Sequence, residues 1–359
     1  MDRLRELVAQ PFDGDRLTTL AIHHEVHPLV DRVLNRLGLG QSPTWRQHLA
    51  EACKESLARN LILEHELDRI LPVMAAAGVR VLSVKGPRFA RDVYGGIALR
   101  TSRDLDLFIP ETQLPQAVDI LGAHDYRLWP PLRRQDIEQL RRFEKAIILR
   151  GGRGPFPVFV DLHWNFAPPE LGLRVDLDGL WRRVRNSGVG DTAMGREDLL
   201  LFLLVHGHRH LWNRLKLVSD IDAYLCCFGH RLDWERLAHT TSAWKIDDIV
   251  ERGLRLATTL LETELPSVAA VCLHNDHWLV DPLAEPATFL ASGRNPRCAP
   301  VFAWLQRLRQ RRGPLNLARH IVGSCRPNLA DFTAWPWGRR MVPTLWLLRP
   351  LRLLMKSLR

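Results

Sequence analysis

The sequence predicts an α+β fold, a small mixed β-sheet core flanked by N-terminal and C-terminal helical regions. Three observations carry this expectation. Apolar residues recur at spacings of three and four in the first third of the chain and again after Arg196. Between these regions, short β-branched runs alternate with polar residues. Gly78 and Lys85-Gly86 fall where the period changes. At roughly 150 residues per domain, 359 residues allow two or three units. The expected division is a helical region at 1–78, an α/β core at 79–190 and a helical domain with a basic tail at 191–359.

Trp45 to Ala77 reads as one long helix or a helix pair, with Leu49, Cys53, Leu57, Leu61, Leu67, Ile70 and Met74 on its apolar side, and it stops at Gly78. Val79 to Val84 is a first strand, ended by Lys85-Gly86, and Pro87 opens a short helix to Val93. Leu105 to Ile109 is a second strand, on which Asp104, Asp106 and Phe108 face opposite to Leu105, Leu107 and Ile109. Gln113 to Gly122 is a helix. Lys145–Leu149 and Pro157–Leu162 flank a glycine-rich turn and read as a hairpin. Helical spacing returns over Glu197–Trp212, Leu215–Phe228, Trp234–Thr241 and Asp247–Thr263.

The composition is 46% hydrophobic and 25% charged, which excludes a wholly disordered chain, a collagen and a polytopic membrane protein. Met1–Gln10 lacks the apolar core of a signal peptide, and the apolar tail at Val342–Met355 is interrupted by Arg349, Pro350 and Arg352. The six cysteines are scattered without a framework, and vicinal Cys226-Cys227 in an apolar stretch read as buried thiols. A reducing, cytoplasmic setting is expected. The net charge of +10 favours polyanions as partners: nucleoside triphosphates, nucleic acid or an anionic membrane face. From Arg294 to the end, Asp331 is the one acidic residue. A solvated helix face is the default for that tail; contact with nucleic acid, or with lipid headgroups through Arg349 and Arg352, is its alternative. Of the twelve tryptophans, Trp164, Trp181, Trp212, Trp335 and Trp337 read chiefly as packing residues.

The chemistry lies in the middle. On a strand, Asp104 and Asp106 project from one face. Like charges held that close raise each other's pKa, and a divalent metal is the usual compensation. An isolated Asp-x-Asp is more often an exposed strand face, so context decides. Upstream, Lys85-Gly86 sits between a strand and a helix start, where backbone amides approach phosphate oxygens. Downstream, Phe159, Asp161 and His163 share a face of a third strand. A third carboxylate facing the Asp-x-Asp pair is the arrangement that two-metal phosphoryl transfer needs. His206 and His210 share a helix face, but Gly207 stands where the zincin motif has its glutamate, so cleft lining or helix packing is favoured over zinc.

These residues resemble the DNA polymerase β-type nucleotidyltransferase core. The likeness is sharpest to the uncharacterised nucleotidyltransferases whose first motif is Lys-Gly instead of Gly-Ser. Lys85, Gly86, Tyr94, Arg100, Ser102, Asp104 and Asp106 match its first motifs in order, and Val160–Trp164 matches its hydrophobic-Asp-Leu-His-Trp motif. His206-Gly207, His210, Trp212, Arg214, Leu215 and Asp220 match its histidine-glycine helix, and Pro327, Asp331, Arg349-Pro350 and Arg352-Leu353 its tail. Departures are Pro87 after the Lys-Gly, Arg103 before the Asp-x-Asp, and Gly95-Gly96-Ile97 in place of a proline-rich loop.

The resemblance implies transfer of a nucleoside monophosphate from an NTP, ATP by default, to a small-molecule, peptide or RNA acceptor, with release of pyrophosphate. Asp104 and Asp106 are then expected to hold two Mg²⁺ ions, or Mn²⁺, and the triphosphate. Asp161 completes one metal site and orients or activates the acceptor hydroxyl. Gly86 offers a backbone amide, and Lys85 offsets phosphate charge; alone, Lys85 reads equally as a solvated strand-end lysine. Arg100 and Ser102 contact phosphate or brace the loop. His163, His206, His210 and Arg214 line the cleft or pack. The competing readings are a degenerate protein that binds nucleotide or a partner, and a basic nucleic-acid-binding protein whose carboxylates are incidental.

Overall fold

The N-terminal region is helical where apolar residues recur at three and four. The computed structural model describes residues 2–38, 43–154, 156–186, 193–273, 318, 321–328, 331–332, 344–346, 348–349 and 352. Helix α1 covers Asp2–Ala9, α2 Gly14–His23 and α3 His27–Arg36. Asp13 caps α2 by accepting the Arg16 backbone N–H at 2.9 Å. The long apolar-spaced segment is a single helix, α4, over Thr44–Ala76, and the chain leaves it through Gly78 in the left-handed region (φ +76°).

The expected first strand is much shorter than its β-branched run. Only Leu82–Ser83 forms strand β1, because β1 is an edge strand with one partner. Helix α5 follows over Gly86–Tyr94, then β2 over Leu105–Phe108 and α6 over Leu114–Ala123. Strand β3 (Arg127–Trp129) and helix α7 (Arg134–Leu140) precede the hairpin of β4 (Ala146–Gly151) and β5 (Val158–His163). The five strands form one mixed sheet in the order β1-β2-β5-β4-β3. Among the described strands only β2 and β5 run parallel, with Asp106 opposite Asp161 and Phe108 opposite His163.

The sheet separates two apolar layers. Leu105, Leu107 and Ile109 face Leu63, Leu67, Ile70 and Met74 of α4 and Leu114, Ala117 and Leu121 of α6. Phe108, on the opposite face, enters an aromatic group with Phe166, Trp181 and Phe202. That second layer is built by α8 (Leu177–Asn186), α9 (Arg196–Arg209), α10 (Leu215–Phe228), α11 (Trp234–Trp244) and α12 (Asp247–Leu261). Helix α9 ends three residues before the expected Trp212, because Leu211 and Trp212 both adopt left-handed backbone (φ 56° and 53°) and the Trp212 N–H returns to the Gly207 carbonyl at 3.0 Å.

Two expectations are corrected. Cys226 and Cys227 are exposed, because the buried stripe of α10 runs through Leu217, Val218, Ile221, Tyr224 and Leu225 and leaves both outside it. The expected solvated face, with headgroup contact as its alternative, is not met at Arg349 and Arg352, which are engaged within the protein. Arg349 is buried, donating to Asp331 at 2.7 Å and to the Ser324 carbonyl, and Arg352 also donates to Asp331. Burial of the Asp331 carboxylate demands these cations. Trp335, Trp337, Pro350, Leu353 and most of the apolar tail lie outside the described residues. Among the described residues no helix is long and apolar enough to cross a membrane.

Candidate active site

The site lies where the α9 layer crosses β2 and β5. Strand alternation sends Asp104 and Asp106 to the α9 side, because Leu105 and Leu107 are taken by the opposite layer. Parallel pairing then sets Asp161 beside Asp106, and His163 follows two residues along the same face. Asp104, Asp106, Asp161, Lys85, Gly86, Arg100, Ser102, His206, His210 and Arg214 all line one cavity of about 250 Å³.

Cations and an imidazole surround the carboxylates. Lys85 Nζ lies 2.9 Å from Asp106 Oδ1. His163 Nε2 lies 3.0 Å from the same oxygen and 3.3 Å from Asp161 Oδ2. Ionised carboxylates only accept, so His163 carries its Nε2 proton toward them. On the other side of the ring, Lys145 Nζ meets Nδ1 at 2.8 Å. Lys145 is fully enclosed, and burial, followed by the charge of Arg209, brings it down to about 7. It was missed in the sequence, where a lysine before an apolar strand reads as an ordinary strand end.

The three aspartates respond unequally. Burial, reinforced by the charge of Asp106, pushes Asp104 up to about 6. Burial also opposes ionisation of Asp106, but the Lys85 charge and the His163 hydrogen bond outweigh it and hold Asp106 well below the carboxylate range. Asp161 is likewise held low against burial by His163 and Lys145. His206 lies beside Lys85, with both ring nitrogens 3.4 Å from Nζ. Burial and then the Lys85 charge keep it neutral, well below its ordinary pKa. Its ring stacks on Phe202 and sits 4.4 Å from that of His210.

Backbone conformation sets the approach to this cluster. Gly86 has φ +75°, and a Cβ there would stand 3.6 Å from the Asp104 carbonyl, so the glycine brings the start of α5 against the Asp-x-Asp segment. Pro87 fits because the first turn of a helix leaves its missing N–H unused. The buried Asn60 of α4, absent from the sequence reading, fastens the preceding loop. Its Nδ2 donates to the Ile97 and Arg100 carbonyls at 2.6 Å each, and its Oδ1 accepts the Ser102 N–H at 3.1 Å.

Arg100 is engaged within the protein. Its Nε and Nη2 donate to the two Asp220 oxygens at 2.7 and 2.8 Å, and Tyr94 donates to the same carboxylate at 2.8 Å. Ser102 Oγ accepts from Arg100 Nη1 at 3.4 Å. At the rim, Arg103 pairs with Glu25 at 2.8 Å, and Arg214 meets the same carboxylate at 3.2 Å. No sequence pattern connected Glu25 with these residues, which are close only through the tertiary fold.

The chemistry of the donors suits a divalent ion. Among the described residues, Asp106, Asp161 and His163 form the group whose ligand atoms lie within 4.8 Å of one another. Its oxygens, with Asp104 on the same face, fit a hard cation. His206 and His210 are outside that group. A larger cavity, about 670 Å³, lies between α5 and the start of α9, but its Glu197 and Asp198 are committed to Arg236 and Arg183. The paired carboxylates therefore mark the smaller cavity as the candidate site.

A family model described as an uncharacterised nucleotidyltransferase matches residues 10–262 of the 359. No curated protein and no solved structure matches the chain.

Proposed function

We propose, for a chain that belongs to the uncharacterised nucleotidyltransferase family, that it transfers a nucleoside monophosphate from an NTP to a hydroxyl-bearing acceptor and releases pyrophosphate. The observation that carries this reading is the register pairing of Asp106 with Asp161 across parallel strands, with Asp104 on the same face. The arrangement supports Asp104, Asp106 and Asp161 as the residues that hold Mg²⁺. Bound Mg²⁺ supplies Lewis acidity at the phosphoryl oxygens and neutralises developing charge.

The remaining roles belong to the chain's own groups. Gly86 brings the N-terminus of α5 to the phosphates, where backbone N–H groups and the helix dipole favour an anion. Asp161 accepts the proton of the acceptor hydroxyl as its oxygen bonds to the α-phosphorus and the bond to the pyrophosphate oxygen breaks. His163 holds Asp106 and Asp161 in position through Nε2, and Lys145 fixes the imidazole from behind. Arg100, bound to Asp220, braces the loop that delivers the Asp-x-Asp segment. Mg²⁺-dependent calorimetry with each of the four NTPs tests the reading. Saturable binding by the wild type and its loss in Asp104→Ala/Asp106→Ala are expected; no Mg²⁺-dependent binding of any NTP by the folded wild type overturns it.

A further inference from the structure

Beside the carboxylates, the same cavity carries a group of cations gathered on one internal anion. Glu25, in the turn between α2 and α3, places Oε1 2.8 Å from Arg103 Nη2 and 3.2 Å from Arg214 Nη1, and Oε2 2.9 Å from Lys216 Nζ. The four residues come from three separated parts of the chain. Arg103 immediately precedes Asp104, and Arg214 and Lys216 flank the first residue of α10. All four line the cavity that holds Asp104, Asp106 and Asp161.

Two features set this group apart from an ordinary surface ion pair. One carboxylate faces three cations, so the group keeps an excess of positive charge with the anion in place. A phosphate carries more charge and more acceptor oxygens than a carboxylate and satisfies three donors better. Glu25 also adopts left-handed backbone (φ 59°), a conformation that a non-glycine residue keeps only where its surroundings hold it. Those surroundings are the cleft wall itself: Thr101 Oγ1 donates to the Glu25 carbonyl at 3.2 Å, and the Lys216 N–H donates to the His24 carbonyl at 3.2 Å. Burial works against the charge on Glu25, yet Lys216, Arg103 and Arg214 bring its carboxyl down to about 2.

We infer that Arg103, Arg214 and Lys216 form a subsite for the terminal phosphates of a nucleoside triphosphate, and that Glu25 occupies it as an internal phosphate mimic. The inference rests on the nucleotidyl-transfer reading above and adds to it where the leaving pyrophosphate is held and what the substrate displaces. The turn stays fastened by its backbone bonds, and the Glu25 side chain is the part that yields. Bound triphosphate and the Glu25 carboxylate thus compete for the same three donors.

The test is calorimetry with inorganic triphosphate and with ATP, each with Mg²⁺ at constant ionic strength. Glu25→Gln keeps the size of the side chain and removes the competing charge. It is expected to bind both ligands about tenfold more tightly than the wild type, and Lys216→Met about tenfold more weakly. Glu25→Asp, which keeps the charge but withdraws it by one methylene, is expected to tighten binding by a smaller factor; it provides the same comparison if Glu25→Gln does not fold. Unchanged or weaker triphosphate affinity in both folded Glu25 variants overturns the inference. If ATP binding is lost in Asp104→Ala/Asp106→Ala yet indifferent to Glu25, the subsite fails and the nucleotidyl-transfer reading stands. If no form binds either ligand, both fail.

Discussion

Asp106 and Asp161 are register partners on adjacent parallel strands, and one imidazole, that of His163, lies within 3.3 Å of a carboxylate oxygen of each. A parallel pair puts two carboxylates side by side without any turn or loop to adjust, so their repulsion must be met by cations from elsewhere. Lys85 arrives from the end of β1 and Lys145 from the start of β4. Asp104, on the same face, is raised to about 6 by burial and then by the charge of Asp106.

The first prediction concerns Asp104 and pH. Its pKa rises from 3.8 to about 6 on folding, through burial and then the charge of Asp106. A raised folded-state value means that the folded chain holds the proton more tightly. The contribution to stability is therefore complete below about 4 and is lost as pH rises through about 6. Its size is about 3 kcal/mol. In metal-free solution, Asp104→Asn is expected to melt a few degrees above the wild type at pH 7.5, with the two curves converging near pH 4. Parallel melting curves across that range refute the assignment.

Asp106→Asn has the opposite sign. It replaces the charged acceptor of Lys85 in a buried position, and breaking one side of such a pair costs about 3 kcal/mol. Adding Lys85→Met to Asp106→Asn removes the stranded ammonium and is expected to recover part of that loss in urea unfolding. A double variant that is additively worse than the two single variants contradicts the pairing.

Arg100 and Asp220 join the loop before β2 to α10 through two parallel hydrogen bonds. A lysine cannot reproduce that fork. Arg100→Lys and Asp220→Asn are each expected to lose about 3 kcal/mol, and a double-mutant cycle should return a coupling above about 1 kcal/mol. Coupling near zero places Arg100 on another partner.

The sheet and its carboxylates were legible because their signals are local. Alternation over five residues separates Asp104 and Asp106 from Leu105 and Leu107, and a glycine-rich turn announces the β4–β5 hairpin. The groups that complete the cluster are not local. Lys145 meets His163 from across the hairpin, Asn60 reaches the loop at Ile97–Ser102 from α4, and Glu25 reaches Lys216 of α10 across 191 residues of sequence. None has a spacing that marks it. The cysteine reading failed for the same reason in reverse: an apolar neighbourhood in sequence does not say which positions of α10 fall on its buried stripe.

The glycine after His206 gives the last prediction. A Cβ on Gly207 would stand 2.3 Å from Trp212 Cζ3 and 2.4 Å from Cη2. The ring has little room to retreat, because Gly253 of α12 packs so close to it that a Cβ there would stand 3.0 Å from Cη2 and Cζ2, and Trp212 is fully buried. The Trp212 backbone is also tied back to Gly207 through its N–H. Gly207→Ala must therefore push α9 away, against an overpacking cost of about 1–3 kcal/mol. Higher helix propensity returns at most about 1 kcal/mol. The net expectation is a loss of about 1–2 kcal/mol in urea unfolding. A change in near-ultraviolet circular dichroism should accompany it as the indole environment shifts. His206 precedes Gly207 on the same helix and lies against Lys85, so the displacement should also weaken Mg²⁺-dependent NTP binding. If Gly207→Ala is instead more stable than the wild type, helix propensity outweighs the contact, and the histidine-glycine pair is not a packing device that positions His206.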